Sequence, residues 1–334
     1  MVKLIKICPV IPRDQSVFIL SSFSARQYVQ GFVRDMAAQT YQNYELILID
    51  DGSTDGSQKH LLKLLQRKEI PTKMLQQSQN QGVSAARNRG LEHAQGDYVI
   101  FSDIDDHLRS NYLARLSETA MKTQQDLVGC CALKVNQKGQ SEKIGQAAEY
   151  ATQKALLTAF LDDQLPINLW TKLIKRKVAK QVRFLEDIKI NEDKLYLYQI
   201  CRLITKATFI DDILYEYHSN QGFNSRNPNE NFNPIVFDIG RVSRLIYSDS
   251  PHYAQELANK HFYRSQMILL RSLIRAKDGP TNFSTQLHEL HQELTQSTYR
   301  KLELARIERI EGWLFNHLWS LYQIIIRSGV RAYG

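Results

Sequence analysis

Tyr44-Glu45-Leu46-Ile47-Leu48-Ile49-Asp50-Asp51-Gly52-Ser53-Thr54-Asp55 starts as a short apolar run and ends in two carboxylates, a glycine and two small hydroxyl residues. The Ile- and Leu-rich half predicts a strand buried on both faces, and the second half has the composition of a tight turn. Carboxylates just past the carboxyl end of such a strand lie where open α/β sheets bind their ligands. Taken alone, Asp50 and Asp51 are better read as ending a strand and capping the helix that follows. A second strand of the same design changes that balance: Tyr98-Val99-Ile100-Phe101 runs into Ser102-Asp103-Ile104-Asp105-Asp106. Two acidic strand ends within one α/β unit point to a cation-dependent site rather than two unrelated turns.

Upstream, Val17-Phe18-Ile19-Leu20 reads as the first strand, closing in Ser21-Ser22-Phe23-Ser24. A helix is expected from about Ala25 to Ala38, with Tyr28, Phe32, Val33 and Met36 on one face. Leu61, Leu62, Leu64 and Leu65 mark a second helix, and Lys73 to Gln76 a short strand. Asn80-Gln81-Gly82-Val83-Ser84-Ala85-Ala86-Arg87-Asn88-Arg89-Gly90 joins a polar loop to a helix, with Ser84 as its N-cap. This alternation predicts a mostly parallel, Rossmann-like α/β sheet flanked by helices. No G-x-G-x-x-G follows the first strand, so a dinucleotide fingerprint is absent.

Further on, Asp126 to Leu133 reads as a strand, and the polar residues 136–150 as a mobile hairpin or loop. Glu192 and Asp193 open a helix, and Thr208 to Ile210 and Leu214 to Tyr217 read as two late strands. From about Pro234 the pattern turns helical. The expected organisation is a catalytic domain over 1–218, a linker over 219–234 and a helical C-terminal region over 235–334.

With 43% hydrophobic and 23% charged residues, the composition is that of a soluble globular protein. The net charge of +8 suits an anionic partner: a nucleotide, a phosphorylated acceptor, a nucleic acid or an acidic membrane leaflet. Cys8, Cys130, Cys131 and Cys201 lack the paired spacing of a zinc site; adjacent Cys130 and Cys131 read as buried thiols, and a reducing cytoplasm is expected. The N-terminus carries Lys3 and Lys6 without a sustained apolar core, so no signal peptide is expected. No run approaches the roughly 20 apolar residues that span a bilayer.

Four segments together resemble the bacterial family 2 glycosyltransferases of the GT-A fold. Gln39 to Ile47 with Asp50 to Ser57 resembles that family's first nucleotide-binding strand and turn, and Asn80-Gln81-Gly82 with Ala86-Arg87-Asn88 its second signature. Asp103-Ile104-Asp105-Asp106 stands in the place of its metal-binding motif. Glu192-Asp193, after Trp170-Thr171-Lys172-Leu173, resembles its late catalytic acid pair. The matches are collinear over roughly 17–218. The chain departs from the family's Pro-x-Tyr-Asn turn at Ser21-Ser22-Phe23-Ser24, where Ser21 still offers a hydroxyl or backbone contact to the base.

The resemblance implies inverting transfer of a hexose or N-acetylhexosamine from a UDP-sugar to a hydroxyl of a glycan, glycoprotein or lipid-linked acceptor, with no nucleic-acid partner. It implies Mn²⁺ or Mg²⁺ on the diphosphate, held by Asp105 first and by Asp103 directly or through water. Asp106 orients the ribose or the sugar, or else caps a helix. Asp51 accepts from the uracil N3–H, and Asn80 and Arg87 complete the base and phosphate contacts. Asp193, with Glu192 beside it, is the general base. His218 contacts the diphosphate or metal, or is structural. Trp170 and Lys172 shape the acceptor side.

Two rival classes stand beside this reading: a nucleotidyl or phosphosugar transferase, and a non-catalytic scaffold subunit of a glycosylation complex. Outside the resemblance, Trp313 to Ile326 reads as one helix, apolar nearly all round and followed by Arg327 and Arg331. It is expected to pack on its own helices and to mediate self-association, most simply as a homodimer, with peripheral contact at the inner membrane face as the other option.

Overall fold

Strand β1 (Ser16–Ser22) is buried from Ser16 to Leu20 because parallel strands flank it on both sides. The computed structural model describes residues 16–22, 24–136, 138–218, 231–295, 302 and 304–328. Lys3, Lys6, Cys8, Phe23, most of the expected linker and Arg331 therefore lie outside the described residues.

The chain divides into two compact units, 1–220 and 221–334. In the first, β1 is followed by α1 (Val29–Ala37), β2 (Tyr44–Asp50), α2 (Ser57–Arg67), β3 (Thr72–Gln76), α3 (Val83–His93) and β4 (Tyr98–Asp103). Next come β5 (His107–Leu108), α4 (Tyr112–Thr123), β6 (Leu127–Val135), β7 (Ser141–Ile144), β8 (Ala148–Tyr150) and α5 (Gln153–Leu161). The unit ends with β9 (Lys172–Lys175), α6 (Arg176–Ala179), α7 (Glu192–Leu203) and β10 (Ala207–His218). One sheet runs in the order β3-β2-β1-β4-β9-β6-β10-β5, with β7 on β6 and β8 on β10. Its β3-β2-β1-β4 half is parallel throughout, while β9 lies antiparallel between β4 and β6. Apolar side chains of β1, β2 and β4 meet Val29, Phe32, Val33 and Met36 of α1 in one core.

Some local expectations hold and others need correction. The polar segment 136–150 forms a hairpin, one of its two expected readings: β7 pairs antiparallel with β6, and β8 with β10. Its exposed, charged residues are those of edge strands, which carry no alternating apolar signal. The two late strands are one, β10, interrupted by register shifts between Phe209 and Tyr215. Helix α3 starts one residue before Ser84, with Gly82 at its N-cap and φ of 93°. Trp170 and Lys172, expected on the acceptor side, are both buried. Trp170 stacks on Tyr215 at 4.4 Å and Lys172 is fully buried, donating to the Asn168 carbonyl and the Thr171 hydroxyl.

The second unit is helical: α8 (Phe237–Asp249), α9 (Gln255–Arg275), α10 (Gly279–Asn282), α11 (Ser284–Thr295), α12 (Arg306–His317) and α13 (Trp319–Arg327). Phe232, Phe237 and Phe283 make an aromatic cluster, and α9 supplies much of the core through Phe262, Met267, Leu270 and Leu273. The expected single tail helix is two helices broken at Leu318, whose φ of −133° and ψ of 52° are not helical. Both sides of these helices carry apolar residues: Phe315, Tyr322 and Ile326 are buried while Trp313, Leu321 and Ile324 are exposed. None of the helices among the described residues is long and apolar enough to cross a membrane.

Candidate active site

The register of the parallel strands gathers the acidic ends. Ser21 lies opposite Ile49 on one side and Asp103 on the other, and Ser22 lies opposite Asp50. Ser21, the Asp50-Asp51 turn and Asp103 thus end three neighbouring strands on one edge, where ligands of open α/β sheets sit.

The turn after β2 is shaped by Gly52, whose φ is 80°. A Cβ there would come within 2.7 Å of the Gln79 carbonyl carbon, so only glycine lets the turn pack on the following loop. Asp50 is buried and accepts from the Ser53 N–H at 3.1 Å, which closes the turn. Asp51 reaches the other way. Its Oδ1 accepts from the Gln77 amide at 2.6 Å and from the Gln81 N–H at 2.8 Å, and its Oδ2 accepts from the Gly82 N–H at 2.8 Å. The carboxylate thus ties the β2 turn to the loop that carries the exposed Asn80 and to the start of α3.

Arg87 and Asn88 are polar residues buried on α3, and both hold the segment that leads into α7. The Asn88 amide donates to the Phe184 carbonyl at 2.9 Å and accepts from the Phe184 N–H at 2.9 Å. Arg87 lies over the Phe184 ring and donates Nη1–H to Glu192 at 2.9 Å and Nη2–H to Asp103 at 3.5 Å. Burial of the guanidinium is offset by Asp103, Glu192 and Asp193, which keep it firmly charged. Its hydrogen bonds among the described residues go to carboxylates at two ends of the site, a geometry that positions both.

Beyond Asp103 the chain turns through Asp105 and Asp106. Asp105 is half-buried; burial raises its pKa, Asp103 adds to the rise and His218 opposes it. Asp106 is buried and accepts from the Tyr215 hydroxyl at 2.8 Å and the His218 N–H at 3.2 Å. Burial, then Asp103 and Asp105, push its pKa up to about 8. Asp106 does not cap a helix. A strand follows it, and its two oxygens anchor the acidic turn to β10.

His218 ends β10 beside this turn. Its Nε2 is buried with no hydrogen-bond partner among the described residues, and its ring meets His107 edge to face at 5.1 Å. His107 is held by Asp35 of α1 at 2.9 Å, and the same carboxylate oxygen accepts from the Leu108 N–H. Neither Asp35 nor His107 was visible as a site residue in the sequence, because they lie 72 positions apart and only the fold joins them.

Glu192 and Asp193 occupy the first turn of α7, where the helix dipole favours negative charge. Asn191 enters the helix with φ of 65°. The Lys194 N–H donates to Asp193 Oδ1 at 2.7 Å. Burial raises the pKa of both acids; Asp193 raises that of Glu192 further, and Arg87 opposes the shift in each. Lys172 lies within electrostatic range of Asp193, and burial lowers its pKa to about 8.

Among the described residues no three His, Cys, Asp or Glu side chains converge into a ready-made metal cluster. The residues present nonetheless fit a cation that takes most of its ligands from phosphate, since such ions need only one or two carboxylates. Asp103 and Asp105 sit at one strand end, and the orphaned His218 Nε2 lies close enough to influence Asp105.

Compared with known proteins, residues 17–183 match the family model for glycosyl transferase family 2. The chain belongs to glycosyl transferase family 2. The match in this family 2 member takes in Ser21, Asp51, Asn80, Arg87 and Asp103 to Asp106, and it ends before Glu192, Asp193 and His218. Glycosyltransferase GlyA of Streptococcus pneumoniae is 29% identical over 231 residues, which cover 64% of this chain and 32% of that protein. The cholesterol galactosyltransferase of Borreliella burgdorferi is 29% identical over 218 residues, 61% of this chain and 60% of that one. The aligned part thus spans about a third of the first relative and three-fifths of the second. The crystal structure of S. aureus TarS 1–349 in complex with UDP superposes with a TM-score of 0.65 at 18% identity, over 95% of this chain and 91% of that one. That likeness establishes a shared GT-A fold.

Proposed function

We propose that this family 2 member is an inverting glycosyltransferase that moves a hexose or N-acetylhexosamine from a UDP-sugar to a hydroxyl of a glycan or glycoconjugate. The carrying observation is Arg87, which links Asp103 of the acidic turn to Glu192 beside Asp193 and so makes the two carboxylate groups parts of one site. The S. aureus TarS 1–349 structures in complex with UDP and with UDP-GlcNAc support a uridine nucleotide as the donor.

In this reading Ser21, Asp51 and Asn80 line the nucleobase. Asp51 Oδ2 has one partner within the protein and keeps capacity for the uracil N3–H. Asp103 and Asp105, with His218 Nε2, would hold Mg²⁺ or Mn²⁺. A bound cation supplies charge neutralisation at the diphosphate. Asp193 takes the acceptor proton. As the new bond from the acceptor oxygen to the anomeric carbon forms, the bond to the phosphate oxygen breaks, and its electron pair leaves with UDP. A base that is half-buried with a raised pKa is better matched to a proton released near neutral pH than an ordinary carboxylate. After burial, Asp103 raises the proton affinity of this base, and Glu192 beside it is held by Arg87. The buried free thiols Cys130, Cys131 and Cys201 suit a reducing cytoplasm.

UDP release measured across common UDP-sugars, with Mn²⁺ and with EDTA, tests the reading. Release that depends on donor, acceptor and metal is expected. A protein that binds an acceptor glycan yet releases no UDP under any of these conditions is a scaffold instead.

A further inference from the structure

We propose that the outward face of α12 and α13 docks on an anionic membrane surface. The exposed sides of the two helices carry Ile310 and Trp313 on α12 and Leu321 and Ile324 on α13, with exposed Leu318 between them; Trp313 is 54% and Ile324 is 64% exposed. Exposed Arg306 and Arg309 share the α12 part of this face, and exposed Arg327 lies beside Ile324 on α13.

The distribution of charge selects the partner. From residue 304 to 328 the only carboxylates are Glu308 and Glu311, and both turn inward. Glu308 accepts from Arg264 of α9 at 2.6 Å, and Glu311 accepts from Arg271 at 2.9 Å and from the Tyr322 hydroxyl at 2.9 Å. The outward side carries arginines, a tryptophan and branched aliphatics beside the exposed His317 and Ser320, and among the described residues of the two helices it has no acid. Apolar side chains at the acyl boundary with Arg and Trp at headgroup level are what an interfacial helix presents to anionic lipid. A second copy of the chain fits less well. A two-fold contact sets a patch against itself, which would face arginine with arginine and provide no carboxylate between them. The break at Leu318 suits a surface-lying pair of short helices, since neither is long enough to enter a bilayer. Such a contact would hold the enzyme where lipid-linked glycans are presented.

The test is co-sedimentation of the full chain with vesicles of phosphatidylcholine alone, or of phosphatidylcholine mixed with phosphatidylglycerol. Binding is expected only to the mixed vesicles, with loss at high salt. Trp313→Ser combined with Ile324→Ser should weaken it about tenfold or more, because the apolar part of the contact is lost. Arg309→Glu should weaken it about fivefold or more, because each basic side chain near the surface adds comparable attraction. Melting temperatures should hardly move, since all three side chains are exposed. Three results would overturn the proposal: no sedimentation at low salt, sedimentation that all the variants retain, or a dimer in light scattering that Trp313→Ser dissociates.

Discussion

Arg87 donates to Glu192 at 2.9 Å and to Asp103 at 3.5 Å, so one guanidinium stands between the acidic turn of β4 and the start of α7. These carboxylates are 89 positions apart in the chain, and neither contacts the other's element through backbone pairing. A planar fork reaches both where a lysine ammonium would satisfy one.

Arg87→Lys should therefore impair turnover strongly despite keeping the charge. Arg87→Ala should in addition destabilise the fold by about 3–5 kcal/mol, because it leaves buried carboxylates without their counter-charge. Thermal melting beside single-turnover transfer checks both. An Arg87→Lys protein with wild-type turnover would mean that the second hydrogen bond has no consequence.

Asp193→Asn should reduce transfer about 10²–10⁴-fold, the usual contribution of a general base. UDP-sugar affinity should be almost unchanged, since the base acts on the acceptor. Calorimetric titration of donor into the variant separates the roles: loss of donor binding along with turnover would make Asp193 a donor ligand.

β1, β2 and β4 were legible because each carries an apolar run ending in turn residues, and the short β3 followed from the strand–helix alternation around it. The Asp-Gly turn and the acidic triplet of β4 could be read for the same reason: their residue types are local signals. What escaped the sequence depended on contacts between distant residues. That Arg87 is buried and reaches Glu192, on a helix pinned to Phe184, overturns only its reading as a surface helix charge. Adjacent buried polar residues on one helix, Arg87 and Asn88, were the available hint. The helix-cap alternative for Asp106 stayed open because the partner that anchors it, Tyr215, is 109 positions away. In the tail, a list of apolar residues hid a break at Leu318 and a clear division between buried and exposed sides.

Asp105→Asn should abolish metal-dependent donor binding while leaving the fold intact. The half-buried carboxylate already resists ionisation beside Asp103, and removing its charge relieves repulsion as well as deleting a ligand. Mn²⁺ binding followed by electron paramagnetic resonance in the presence of UDP is the direct measurement. Wild-type Mn²⁺ affinity in the variant would move the ligand role to Asp103 or His218.

Lys172 offers a test of burial that is independent of catalysis. The side chain is fully buried, and its pKa falls from 10.5 to about 8 through desolvation. The unfolded chain therefore binds more protons than the folded one between about pH 8 and 10.5, and over that window stability contributed by this group rises with pH. Below the window the lysine is charged in both states and its full desolvation cost is present. Lys172→Met removes the titrating group, so the stability of wild type relative to the variant should climb from pH 8 to 10.5 by up to about 3 kcal/mol. Urea unfolding of both proteins at several pH values in that range measures it. A flat difference would show that the hydrogen bonds to Asn168 and Thr171 solvate the ammonium as well as water does, and that burial alone does not determine its proton affinity.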